Sequence, residues 1–166
     1  MILGMSTQTY TLLHVLISLI GIASGLIVAF GFLRGKRLGG VTAVFLITTV
    51  LTSVTGFGFP FDHLLPSHKV GIISLVALTV AIAARYLYHL KGSWRWIYVA
   101  GAMIALYLNV FVGVVQSFEK SPALKALAPT QSEPPFLIAQ IAVLLIFIVI
   151  TIFAIRRFKL EVPPIA

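Results

Sequence analysis

The sequence contains no cysteine and only four acidic residues, and each shortage excludes a class of chemistry. Without cysteine the chain cannot form disulfides, thiolate metal sites, iron–sulfur clusters or a c-type haem attachment. The acids are Asp62, Glu119, Glu133 and Glu161, and none lies inside a long apolar run. Because proton- and sodium-coupled carriers usually hold an acid within a membrane span, active ion coupling is disfavoured.

The common motifs of enzyme active sites are missing as well. The sequence has no HExxH, no P-loop, no GxGxxG and no Ser-His-Asp set at a plausible depth. We therefore assign no catalytic residue, and the sequence leaves open whether the protein is an enzyme.

Apolar residues are what the chain has in abundance. They make up 60% of the 166 residues, charged residues only 10%, and the mean hydropathy is +1.09. A soluble domain of this length has too little interior to bury so much apolar surface. Several runs reach the roughly 20 residues that cross a bilayer. The composition therefore predicts an all-α integral membrane helical bundle.

We expect a single transmembrane domain with five spans. The apolar runs place helices at about 11–33, 41–57, 68–90, 94–118 and 135–157, and leave a polar, proline-bearing outer loop at 119–134. The second helix is the shortest, and a re-entrant second helix would leave four spans. That alternative puts the basic turns around residues 36 and 92 on opposite sides of the membrane.

The basic residues predict the orientation of the chain, whose formal net charge is +8. Three of them (Lys69, Lys120 and Lys125) fall on one side of the predicted spans. The other nine fall on the opposite side: Arg34, Lys36, Arg37, Arg85, Lys91, Arg95, Arg156, Arg157 and Lys159. The positive-inside rule then predicts an outer N-terminus and a cytoplasmic C-terminus in a multi-pass protein of the cell inner membrane.

Basic clusters at the ends of apolar runs are topology signals, so nucleic acid is not an expected partner. The first run is too long for a secretory signal and no basic residue precedes it, so we expect an uncleaved helix.

Small and polar residues indicate which helix faces pack together, because close approach and polar contacts hold membrane helices together. Helix 1 carries His14, Ser18, Gly21 and Gly25 on one stripe, including a GxxxG pair. Most polar residues in the spans fall in the outer half, and the inner half is almost wholly apolar. We therefore predict an outward-facing polar pocket lined by His14, Ser18, Thr52, Thr55, Asn109, Gln116 and Gln140.

Histidines at the outer side suggest a second kind of site. Imidazole is the commonest transition-metal ligand, so His14, Asp62, His63 and His68 are candidate ligands of a divalent metal. His14 and His68 also suit the two axial ligands of a b-type haem. The competing interpretation is that these histidines are ordinary interfacial or structural residues. Only His89 lies on the inner side, which disfavours a carrier with two haems.

These patterns leave three functions open. The protein binds or passes a small solute through its outer pocket, as a transporter, channel or receptor-like subunit. Alternatively it is a haem or metal redox protein, or an accessory subunit whose stripes dock another membrane protein. The expected partners are the lipid bilayer and either a second copy of the chain or a larger membrane complex.

Overall fold

A computed structural model describes residues 2–60 and 66–159, and this part of the chain is a helical bundle with no strand. Helix accounts for 81% of the structure. The helices are α1 (Thr7–Leu33), α2 (Gly39–Gly56), α3 (Pro66–Ile82), α4 (Trp94–Lys120), α5 (Pro122–Leu127) and α6 (Pro134–Arg157). A π-helical segment, Ala83–Leu87, continues α3. In the described residues, five helices are long and apolar enough to cross a membrane, which confirms the predicted fold class.

The helix ends differ from the predicted bounds for local reasons. α1 begins four residues earlier than expected, because the Ser6 side chain accepts a hydrogen bond from the Thr9 N–H and caps the helix. The π-helical segment ends α3, and His89 and Leu90 then take positive φ angles of 50° and 59° that turn the chain back. Residues 122–127, inside the segment predicted as the outer loop, form the short helix α5.

The five long helices form a closed ring. α1 packs on α2, α2 on α3, α3 on α4, α4 on α6, and α6 on α1. α1 and α4 also touch across the ring, so its centre is filled, and α5 lies against α4.

Glycine lets α1 approach its neighbours closely. A Cβ atom built on Gly25 would lie 2.5 Å from Leu106 Cδ1 of α4 and 2.9 Å from the Phe45 ring of α2. Only a residue without a side chain fits at this crossing. The Gly21–Gly25 pair therefore serves packing inside the chain.

The two ends of the bundle have different chemistry. We call the end where α1 and α6 finish and α2 and α4 begin the basic end, and the opposite one the polar end. The buried apolar cluster lies mainly in the half nearest the basic end. There Phe32 meets Tyr98 and Phe158 edge to face, with ring centroids 5.4 and 5.0 Å apart. Most polar residues of α1 and α2 lie nearer the polar end, whereas Thr42 is buried near the basic end.

Candidate functional site

The predicted polar stripe of α1 faces the threonines of α2. The two helices are antiparallel neighbours joined by a short turn, and His14 Nδ1 lies 2.7 Å from Thr55 Oγ1. About two turns further along α1, Gly21 lies against the side chains of Thr48 and Thr49. We call this contact the α1–α2 seam.

Most hydroxyl groups along the seam are satisfied within their own helix. Ser18 donates to the His14 carbonyl at 2.7 Å, and Thr49 donates to the Phe45 carbonyl at the same distance. Thr48 and Ser24 also donate to carbonyls one turn back. Such hydroxyls are common in membrane helices and need no ligand.

The hydrogen bonds around His14 indicate its tautomer. The Thr55 hydroxyl donates to the Leu51 carbonyl at 2.7 Å, so it accepts from the Nδ1–H of His14. Nε2 is then the nitrogen that carries the lone pair. The half-buried imidazole packs edge to face on Phe59 at 5.3 Å, and the Tyr10 hydroxyl donates to the Thr55 carbonyl. An aromatic layer therefore covers this end of the seam.

Asn109 of α4 reaches the seam from across the ring. Its side chain is buried, and its Nδ2 atom would lie 3.1 Å from a Cβ built on Gly21. Thr49 Oγ1 would lie 3.2 Å from that same point. The missing side chain at Gly21 thus lets the Asn109 amide and the threonine hydroxyls of α2 lie close to the α1 backbone.

In the described part of the chain, three buried side-chain atoms have no hydrogen-bond partner: Thr52 Oγ1, Asn109 Nδ2 and Gln140 Oε1. They come from α2, α4 and α6. Gln140 uses its other atom, Nε2, to donate to the Phe111 carbonyl of α4 at 3.3 Å. A buried polar atom left unpaired costs about 1–3 kcal/mol, so three of them require an explanation.

Gln116 is placed apart from the other predicted pocket residues. Its side chain is exposed, and its amide donates to Glu119 one turn further along α4 at 3.3 Å. It shares a helical stripe with Asn109, but it lies close to the end of α4, where that stripe reaches the surface. The remaining six predicted residues lie along the seam or on the faces of α4 and α6 that pack in the bundle.

The metal and haem predictions involve residues that the structure places only in part. His68 is buried at the start of α3 and stacks on Phe57 with ring centroids 5.3 Å apart. Asp62 and His63 lie outside the described residues. Within residues 2–60 and 66–159, no group of three His, Cys, Asp or Glu side chains is arranged to hold a metal. Metal and haem binding therefore stay predictions.

The surface of the described residues includes two open depressions, and the predicted pocket residues line neither. One, of about 320 Å³, lies on the outer face of α3 between Ile72 and Val80 and is almost wholly apolar. The other, of about 640 Å³, lies at the basic end between the ends of α1 and α6. The sequence shows the basic residues that line the second depression, but it does not show that the ends of α1 and α6 lie side by side there.

Comparison of the chain with protein-family models, curated proteins and solved structures gives no match.

Proposed function

We propose that this protein binds a small neutral solute at a polar layer formed by Thr52, Asn109 and Gln140. The observation that carries the proposal is the set of three buried polar atoms without partners. Water or a ligand with matching hydrogen-bonding groups would remove the cost of burying them.

The three residues lie at similar depth in the bundle. Asn109 Nδ2 and the hydroxyls of Thr48 and Thr49 all lie within 3.3 Å of the Cβ built on Gly21. Thr48 and Thr49 precede Thr52 on α2 by about one turn. Gln140 bonds to the carbonyl of Phe111, two residues beyond Asn109. Their spread along the bundle axis is therefore about one helical turn, or roughly 5 Å.

The chemistry of the layer favours a neutral molecule. Asn109 offers a donor, Gln140 an acceptor, and the Thr52 hydroxyl either one. The described charged side chains lie near the ends of the bundle, so an ion at this depth would find no counter-charge. Small polyols and amides carry both donors and acceptors without a net charge, and they are the solute class that fits.

Access to the layer is favoured from the polar end, where the aromatic layer of Tyr10, His14 and Phe59 has to move aside to admit a solute. Ser18 and His14 are half-buried and lead from the layer toward that end, whereas Phe45 and Leu106 are fully buried on the other side. This arrangement supports a closed binding site, or the closed state of a transporter that opens at the polar end. Passage across the membrane requires the apolar core at the basic end to rearrange.

Thermal unfolding of the detergent-purified protein with glycerol, urea and acetamide as probes tests the proposal. We expect at least one probe to raise the unfolding midpoint of the natural protein by more than it raises that of Thr52→Val or Asn109→Leu. Comparing one probe across variants cancels its general effect on protein stability. Without a probe, both variants should be more stable by about 1 kcal/mol, because each removes an unpaired buried group.

Thr79→Val is the matched control for Thr52→Val. Thr79 is exposed on α3 and its hydroxyl donates to the Leu75 carbonyl of its own helix at 2.8 Å. The control should respond to each probe as the natural protein does. Equal probe responses in all four proteins would overturn the proposal and leave the layer with a structural role, its groups paired by water.

A further inference from the structure

Five basic side chains from two distant parts of the sequence line one cleft at the basic end. We call it the basic cleft: Arg34, Lys36, Arg156, Arg157 and Lys159, together with Leu33 and Gly35. Its volume is about 640 Å³ and it opens to the surface. The positive-inside rule explains why these residues lie at this end, but it does not require them to share a cleft. Arg37, Lys91 and Arg95 belong to the same end and do not line it.

A glycine-dependent turn brings the two segments together. α1 ends in a motif in which Lys36 N–H donates to the Gly31 carbonyl and Gly35 N–H to the Phe32 carbonyl. Gly35 takes a φ of +67°, where a side chain is strained. A Cβ there would also lie 3.3 Å from the Arg157 carbonyl oxygen, so the turn packs directly on the end of α6. The Arg157 guanidinium reaches back toward the Leu33 carbonyl at 3.5 Å.

The positive charge of the cleft is not balanced in the described structure. Among residues 2–60 and 66–159, the one ion pair joins Lys120 to Glu119 at the polar end. The C-termini of α1 and α6 each contribute about half a negative charge, which offsets roughly one of the five positive charges. All five basic side chains are exposed. An anion in the cleft would relieve their mutual repulsion.

The surroundings favour a lipid over a soluble anion. One turn before the cleft, toward the membrane centre, Phe30 of α1 and Phe153 of α6 expose 62% and 47% of their surface. A phospholipid would place its phosphate among the arginines and lysines while its acyl chains cover such apolar side chains. An arginine guanidinium can donate two parallel hydrogen bonds to two oxygens of one phosphate, and Arg156 and Arg157 both offer this geometry.

We propose that the basic cleft binds the phosphate headgroup of an anionic phospholipid. Basic pockets between membrane helices are a recurring way to hold such headgroups. The bound lipid would clamp the end of α6 to the turn after α1. This proposal does not depend on the solute site, which lies in the other half of the bundle.

Native mass spectrometry of the purified protein with phosphatidylglycerol and phosphatidylcholine tests it. The cleft variant is Lys36→Gln/Arg156→Gln/Arg157→Gln, and the matched control is Arg37→Gln/Lys91→Gln/Arg95→Gln, which removes the same charge from the same end. We expect the natural protein to prefer phosphatidylglycerol, the cleft variant to bind it about tenfold more weakly or worse, and the control to keep the preference. An equal loss in both variants, or no loss in either, would overturn the proposal.

Two further experiments identify the bound anion and separate a loss of binding from a loss of folding. Inorganic phosphate at constant ionic strength should not raise the unfolding midpoint in the absence of lipid; stabilisation matching that by phosphatidylglycerol would show a soluble-anion site instead. Lys36→Gln/Lys159→Gln changes only two exposed side chains and should fold normally. It should also bind phosphatidylglycerol more weakly, and unchanged binding in this folded variant would likewise contradict the proposal.

Discussion

At Gly25, the absence of a side chain decides how closely three helices approach. An alanine Cβ there would overlap Leu106 of α4 and the Phe45 ring of α2, and both neighbours are fully buried. Gly40, by contrast, lies in the first turn of α2 with nothing within 4 Å of its built Cβ. Gly25 is therefore required for helix packing, whereas Gly40 has no packing role in the described structure.

We predict that Gly25→Ala lowers the free energy of unfolding by about 1–3 kcal/mol, the usual cost of overpacking a dense core. Gly40→Ala should leave stability unchanged or raise it by up to about 1 kcal/mol, because alanine favours helix. Denaturant unfolding in mild detergent measures both. Equal effects of the two substitutions would show that α1 does not cross its neighbours at Gly25.

At the scale of the element, the segment before α6 is organised by one carboxylate. Glu133 is the N-cap residue of α6, and its side chain accepts from the Thr130 N–H at 3.2 Å, the Thr130 hydroxyl at 2.9 Å and the Ser132 N–H at 3.1 Å. Desolvation acts to raise the pKa of Glu133, but the hydrogen bonds to its carboxylate together outweigh it and lower that pKa. The charged form therefore holds the turn that leads into α6.

We predict that this turn loosens in acid. Because the folded pKa of Glu133 lies below its unfolded value, its contribution is complete above the ordinary glutamate value of about 4.3. The contribution is lost as pH falls through the lower folded value. Amide proton shifts of Thr130 and Ser132, followed by NMR as pH falls, should report one titration that Glu133→Gln abolishes. Glu119→Gln is the control and should preserve it; a titration that survives Glu133→Gln would assign the change to another group.

The long helices could be predicted from the sequence because apolar runs of membrane length have few alternatives to a helix in a bilayer. α5 could not, since "SPALKAL" is short and lies between polar residues, although proline at its first turn is a typical helix start. The pairing of His14 with Thr55 depends on the register of α1 against α2. That register cannot be predicted from a single sequence. Gln116 shows the same limit: the sequence places it on the same face of α4 as Asn109, but it does not show that this face is exposed at Gln116.

For the molecule as a whole, the structure gathers separate charge clusters at one end. The Arg157 side chain lies near Leu33, and Arg85 donates to the Tyr98 hydroxyl at 3.2 Å, so the ends of α1, α3 and α6 meet the start of α4. α2 has 18 residues, a length of about 27 Å, which is close to the thickness of the hydrocarbon core. Together these features support five spans over four. With four spans, the basic turns around residues 36 and 92 would lie on opposite sides of the membrane, whereas the structure brings them to the same end.

The orientation of that bundle remains a prediction, and the absence of native cysteine makes it directly testable. Ala126 on α5 and Ser93 before α4 are both exposed and lie at opposite ends. If nine basic residues hold the basic end in the cytoplasm, a membrane-impermeant maleimide should label Ala126→Cys in intact cells. Ser93→Cys should react only after the membrane is permeabilised. The reverse pattern would place the polar layer on the cytoplasmic side and the basic cleft outside. Labelling of both cysteines in intact cells would contradict a bundle whose two ends lie on opposite sides of the membrane.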